Sequence, residues 1–413
     1  MENSNYLRVT DFGATGDGAA DNTAAFQRAL DKAGETGDVV YAPPGKYLFK
    51  GTLNIPMSVT LLGSFGNVPA HNGIRDAHRD VAKGGGVPKP GDFGTAFFAT
   101  SGRGSEDSEP FITLNTNSVL KGVLIYYPDQ DPAKTPEPYP YCIAMRGKNP
   151  AVLDTELLNP YNGIDATQNE RHFIARVYGQ PLRRGIFLDG IYDIGRIEDV
   201  HFNPWWSVQP AVIKFMVEEG EAFILGRTDW QYMVNCFSII YKAGFVFKDF
   251  GKGPPNVDLT QCGHDIAPYA VIVEHTMEHA GISFSNCQFM GEFLVKDTNT
   301  GPVRINGCGF WGTSKGDFQN PGTLSNVVLG GTGHIILNGC HFTNFNAEAM
   351  QSPAIDVNCR SAVISSCDFL QDKAQVNVGA NVKGLSVIGS KFNGAERITG
   401  NKDIVQSGFN MSV

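Results

Sequence analysis

The dominant hydrophobic pattern along the chain is a short apolar run, a sharp break and a second short run, repeated many times. "SFSNCQFMG", "RINGCGFWG", "ILNGCHFTN", "VISSCDFLQ" and "SVIGSKFNG" share an apolar residue, small or polar turn residues, a small residue and a Phe at fixed offsets. Aligned on the small residue, the column reads Val200, Cys236, Cys262, Cys287, Cys308, Cys340, Cys367 and Ser390, in steps of 21 to 36 residues. Three positions earlier stand Ile197, Met233, Leu259, Phe284, Ile305, Leu337, Ile364 and Val387. Two positions later stand Phe202, Ser238, His264, Phe289, Phe310, Phe342, Phe369 and Phe392. A unit of 20–30 residues with insertions is the signature of a solenoid. Alternation puts Cys and Phe on one side, where equal positions of successive coils stack about 4.8 Å apart. Asn and Gly between them tolerate the left-handed backbone of a sharp bend. The expected fold is all-β: a single parallel β-helix with side-chain ladders for a core.

Three stretches interrupt the pattern. Residues 66–110 are rich in Gly, Pro and charge, 126–141 in Pro and Tyr, and 203–228 hold "PAVIKFMVEEGEAF", whose apolar spacing predicts one short helix. Each reads as a loop insertion, and loops on a rigid scaffold often shape a binding face. One domain over 1–413 is expected, with 1–60 forming a cap and the first coils.

Composition changes this picture little. Apolar residues at 42% and charged residues at 18% describe a well-cored chain. A formal charge of −9 disfavours nucleic acid as a partner, and no run of about 18 apolar residues predicts a membrane span. The eight cysteines contain no C-x-x-C, and six fall in the repeat, so buried thiols are expected rather than disulfides. "MENSNYLRVTDFG" lacks the regions of a signal peptide. Secretion after removal of a leader and a cytoplasmic location both stay open.

Candidate chemistry gathers near the third insertion. Trp205, Trp206 and Trp230, with Tyr232, offer faces on which sugar rings stack, and Arg227 adds a donor. Asp229 and Asp193 lie seven residues before Cys236 and Val200, at the turn entering equivalent strands, with Glu278 near the same turn further on. Carboxylates do the acid/base work of glycosidic cleavage. Ser238 and His264 break the Phe ladder; Asp265 beside His264 points outward, in the lane of Met290 and Trp311. "HTMEH" (275–279) matches a zinc-site pattern literally, but its flanks read as strands, so no metal is expected. For Trp205-Trp206, stapling the insertion onto the coils is as good a reading as sugar contact.

The N-terminus carries a resemblance. Asp11-Phe12-Gly13-Ala14, Gly16-Asp17-Gly18, Asp21-x-Thr23 and Pro43-Pro44-Gly45-x-Tyr47 resemble the opening of pectate-lyase-like right-handed β-helix proteins. That superfamily contains polysaccharide lyases, polygalacturonase-related glycoside hydrolases, alginate epimerases and phage tailspikes. The likeness covers about the first 60 residues. Read physically, Asp21 caps a helix whose Phe26, Ala29, Leu30 and Ala33 form one apolar face over the solenoid's open end. The polygalacturonase motifs Asn-Thr-Asp and Asp-Asp are absent, as is the epimerase motif Tyr-Gly-Phe-Asp-Pro-His-Glu. The resemblance therefore implies fold and a carbohydrate partner, not one reaction.

The expected function is a glycoside hydrolase or transglycosidase on an oligo- or polysaccharide, with no cofactor. A lyase on a uronate polymer is the alternative that would bring in Ca2+, and Arg171, Arg176, Arg183, Arg184 and Arg227 keep it open. A non-catalytic, tailspike-like glycan binder is the third reading, and it would bring in a homotrimer.

Overall fold

The computed structural model describes residues 6–71, 88–345 and 352–413. It divides into two compact units, Met1–Phe215 and Met216–Val413. Within each, the pairings are parallel and run from coil to coil rather than within one.

The second unit shows the coil most clearly. Ile282–Ser285 is a strand, Asn286 bends the chain, Gln288–Met290 resumes it, Gly291 turns the corner, and Glu292–Val295 joins a second ladder. The bend residue is left-handed in each of seven coils: Asn235, Gln261, Asn286, Gly307, Gly339, Ser366 and Gly389 have φ between 53° and 64°. A Cβ in that region costs about 1–2 kcal/mol, least for Asn and nothing for Gly. This is why the turn residues of the repeat are what they are. Asn286→Val is accordingly expected to lower stability by about 1–2 kcal/mol, and Asn286→Gly to change it little. Urea denaturation of the two variants checks this.

Behind the bend, the expected columns are paired in register: Ser238 with His264, His264 with Phe289, then Phe310, Phe342, Phe369 and Phe392. The last four rings stack nearly flat, at 5.2, 5.0 and 4.9 Å. Met233, Leu259, Phe284, Ile305, Leu337, Ile364 and Val387 form the column three residues earlier. All eight cysteines are buried with free thiols.

In the first unit the same bend is built from charged residues: Asp154, Arg176 and Asp199, with φ of 48°, 52° and 51°. The helix α1 (Thr23–Gly34) buries Phe26, Ala29, Leu30 and Ala33, and Phe26 packs edge-on against Tyr47, Phe49 and Phe97. Its cap position is Asn22, not Asp21; the Asp21 carboxylate instead accepts hydrogen bonds from the Thr23 amide and hydroxyl.

Two insertions are shorter than their composition suggests. Thr95–Ala99, inside 66–110, is a strand paired with Gly45–Phe49 and with Leu124–Tyr126. Glu221–Leu225, inside 203–228, is a strand of the second ladder. Both bury apolar residues, Ala96, Phe97 and Ala99 in one and Ala222, Phe223 and Leu225 in the other. The predicted helix is present as α2 (Pro210–Glu219). Residues 72–87 of the first insertion lie outside the described residues. Among the described residues no helix is long and apolar enough to cross a membrane.

Candidate functional site

In the first unit, Asp193 precedes the strand Arg196–Phe202 and pairs with Arg171 at 2.6 Å. That hydrogen bond, with the Ile194 amide, holds its carboxyl below the ordinary range. Trp205 and Trp206 separate: Trp206 is buried at 1% exposure, whereas Trp205 is half-buried beside His201 and Tyr178. One tryptophan is the staple and its neighbour is presented.

In the second unit, Asp229 pairs with Arg227 at 2.5 Å. Trp230 beside it is exposed and left-handed at φ 51°, and Tyr232 is exposed. Glu278 is exposed in the turn before Ile282–Ser285. His264 faces inward at 1% exposure, its Nδ1 2.7 Å from the Ser238 hydroxyl. Burial depresses its pKa to about 4, so it is a neutral core residue. Asp265 is half-buried with a raised pKa, because burial disfavours its charge, and its Oδ1 has no hydrogen-bond partner. Trp311 lies further along that lane, paired with Met290 and Thr343.

A different arrangement emerges on the second ladder of this unit. Along Glu292–Val295, Phe293 and Val295 are buried, so Glu292 and Leu294 face outward. Leu294 pairs with Val328, and Val328 with Asp356, which makes an apolar lane ending in a carboxylate. An open pocket on this face is lined by Leu294, Lys296, Asp297, Thr298, Val328 and Asn358.

The two carboxyls differ in surroundings. Burial, and then the charge of Asp356, push Glu292 up to about 7. Asp356 accepts a 2.8 Å hydrogen bond from the Asn377 amide, whose oxygen accepts one from Thr399 at 3.0 Å. A carboxylic acid kept protonated near neutrality, with a hydrogen-bonded carboxylate two coils away on the same face, can divide acid and base roles. Neither residue was among the sequence candidates. The available signal was an acid set between buried aliphatics in a strand, as in "AIDVN".

Comparisons bear on the fold. Residues 6–83 match the family described as Rhamnogalacturonase A/epimerase, pectate lyase-like. A stretch of 66 residues is 44% identical to the mannuronan C5-epimerase AlgE3 of Azotobacter vinelandii, covering 14% of this chain and 4% of that protein. The chain thus spans only a small fraction of that relative. Among solved structures, the N-terminal fragment of bacteriophage Phi29 gene product 12 superposes with a TM-score of 0.64 at 17% identity, over 98% of this chain and 70% of that one. DFA-IIIase from Arthrobacter chlorophenolicus A6, in complex with GF2, gives 0.60 at 12% identity over 97% of both chains. The chain is thus a parallel β-helix protein whose opening segment matches the pectate-lyase-like family model.

Proposed function

We propose that the protein is a carbohydrate-active enzyme that cleaves a glycosidic bond, with Glu292 as general acid and Asp356 as base. The observation behind this reading is the raised pKa of Glu292 on the same outward face as an open, partly apolar pocket that begins two residues further along its strand, at Leu294. Leu294 and Val328 supply a floor for the C–H face of a sugar, and Lys296, Thr298 and Asn358 supply hydroxyl partners at the rim. Asp193, whose carboxyl Arg171 holds below the ordinary range, is a poorer proton donor, and Asp229 is ion-paired with Arg227. The match of the opening segment to an epimerase and the full-length likeness to a DFA-IIIase agree with a carbohydrate substrate.

The proton step follows directly. Glu292 donates to the leaving glycosidic oxygen, and Asp356 takes a proton from the attacking water. Glu292 stands two residues before Leu294, and Asp356 two coils along from Leu294, so the two carboxyls lie on one face but on different coils and out of register.

The test is a glycan panel, neutral and uronic, read by reducing ends and ultraviolet absorbance together. Reducing ends without absorbance are expected, with kcat/KM falling above pH 7 as Glu292 loses its proton. An absorbing unsaturated product would mean a lyase instead. Binding without turnover would mean a glycan-binding β-helix.

A further inference from the structure

The first unit holds a second constellation, built on the outward lane Glu156, Tyr178, His201. Glu156 is fully buried against His71, at 2.7 Å, so the open part of the lane begins at Tyr178. The Tyr178 hydroxyl donates to the Asp199 carboxylate, 3.0 and 3.1 Å from its two oxygens. The rings of Tyr178, His201 and Trp205 close a triangle with centroids 5.7, 5.8 and 4.8 Å apart. All four residues are half-buried, with part of each side chain reaching solvent.

The loop that carries Trp205 is pinned just beyond it, at Trp206 and Ser207. Gln180, fully buried, accepts hydrogen bonds from the Trp206 and Ser207 amides at 2.8 and 2.9 Å and donates to the Ser207 carbonyl at 2.8 Å. Trp206 fills the interior beneath. Gly179, before Gln180, admits no side chain, since a Cβ would lie 1.8 Å from the Leu157 carbonyl oxygen. The loop is thereby fixed at backbone level, and the Trp205 indole pre-positioned, which removes ordering cost from binding.

The charges decide what fits. The neighbouring cations Arg176 and Lys121 both pair with Asp154, itself buried, with Lys121 at 3.5 Å and the Arg176 Nη2 at 3.1 Å, and Arg176 is also close enough to feel the charges of Asp199 and Glu198. The polar group presented beside the rings is a carboxylate, Asp199. An acidic sugar would meet repulsion; a neutral one offers hydroxyls to Asp199 and a C–H face to the rings.

We propose that Tyr178, Asp199, His201 and Trp205 form a binding site for a neutral saccharide, distinct in chemistry from the acid/base pair of Glu292 and Asp356. The test is isothermal titration of the full chain with maltohexaose, cellohexaose, a fructo-oligosaccharide and, as the acidic control, trigalacturonate. At least one neutral probe is expected to bind, with affinity lowered about tenfold or more in Trp205→Ala and Asp199→Leu. Gln180→Leu, which touches no ligand, is expected to weaken binding as well. Glu292→Gln is expected to keep this binding, so loss of turnover and loss of this site are read separately. Circular dichroism confirms that each variant is folded. The proposal is overturned if no neutral probe binds, if trigalacturonate alone binds, or if folded Trp205→Ala binds every probe as wild type does.

Discussion

Glu292→Gln is expected to lower kcat by about 10²–10⁴-fold on the substrate found by the panel, with KM nearly unchanged. The amide keeps the size of the side chain and some of its hydrogen bonding but has no acidic proton to give. The same substitution is expected to make the protein more stable at pH 8. A carboxyl whose folded pKa is about 7, above its unfolded value, favours folding while protonated and costs stability as pH rises through that range. Glutamine removes a cost on the order of 1–3 kcal/mol at pH 8. Thermal melts at pH 5 and pH 8 read this: the gap between variant and wild type widens from the lower pH to the higher. An equal fall in kcat and stability at both pH values would sink the assignment, because that is what a merely structural residue would do.

The second large effect is expected in the core. Phe342 is fully buried and stacked between Phe310 at 5.2 Å and Phe369 at 5.0 Å, with interplanar angles of 8° and 18°. Phe342→Ala removes a ring from the middle of a file that cannot close up, since coil spacing is set by backbone hydrogen bonds. The expected loss is about 3–5 kcal/mol, at the upper end for a Phe-to-Ala change. Phe342→Leu, which keeps most of the volume but no stacking, is expected to lose less. Urea unfolding of the three proteins decides it. Equal midpoints for wild type and Phe342→Ala would show that the stack carries no load.

What was legible in the sequence was whatever repeated and was buried. The Cys and Phe columns stand at fixed offsets because each strand beside the bend must sit on the previous one, and no turn length varies between them. The second ladder carries no such mark. Its strands, such as Glu292–Val295, Val327–Leu329 and Ile355–Val357, are short aliphatic runs separated from the bend by turns of changing length. Aligning on cysteine does not align them, so Glu292 and Asp356 stayed invisible as neighbours. The bend of the first unit was hidden for another reason: Asp154, Arg176 and Asp199 are not residues that announce a left-handed turn. Trp205 and Trp206 are equivalent as letters; the Gln180 clamp, which acts on backbone, tells them apart. Register and acidity pointed to Asp229 and Asp193, and what the letters could not show is the arginine that pairs with each.

The file of six cysteines, Cys236 to Cys367, has a use beyond filling space. Each thiol belongs to a different coil and all are buried, so a thiol reagent reaches any one of them only when its own coil opens. The native protein therefore carries an internal clock. The order in which the six are labelled, read by mass spectrometry, reports which coils of the second unit breathe first and where unravelling starts.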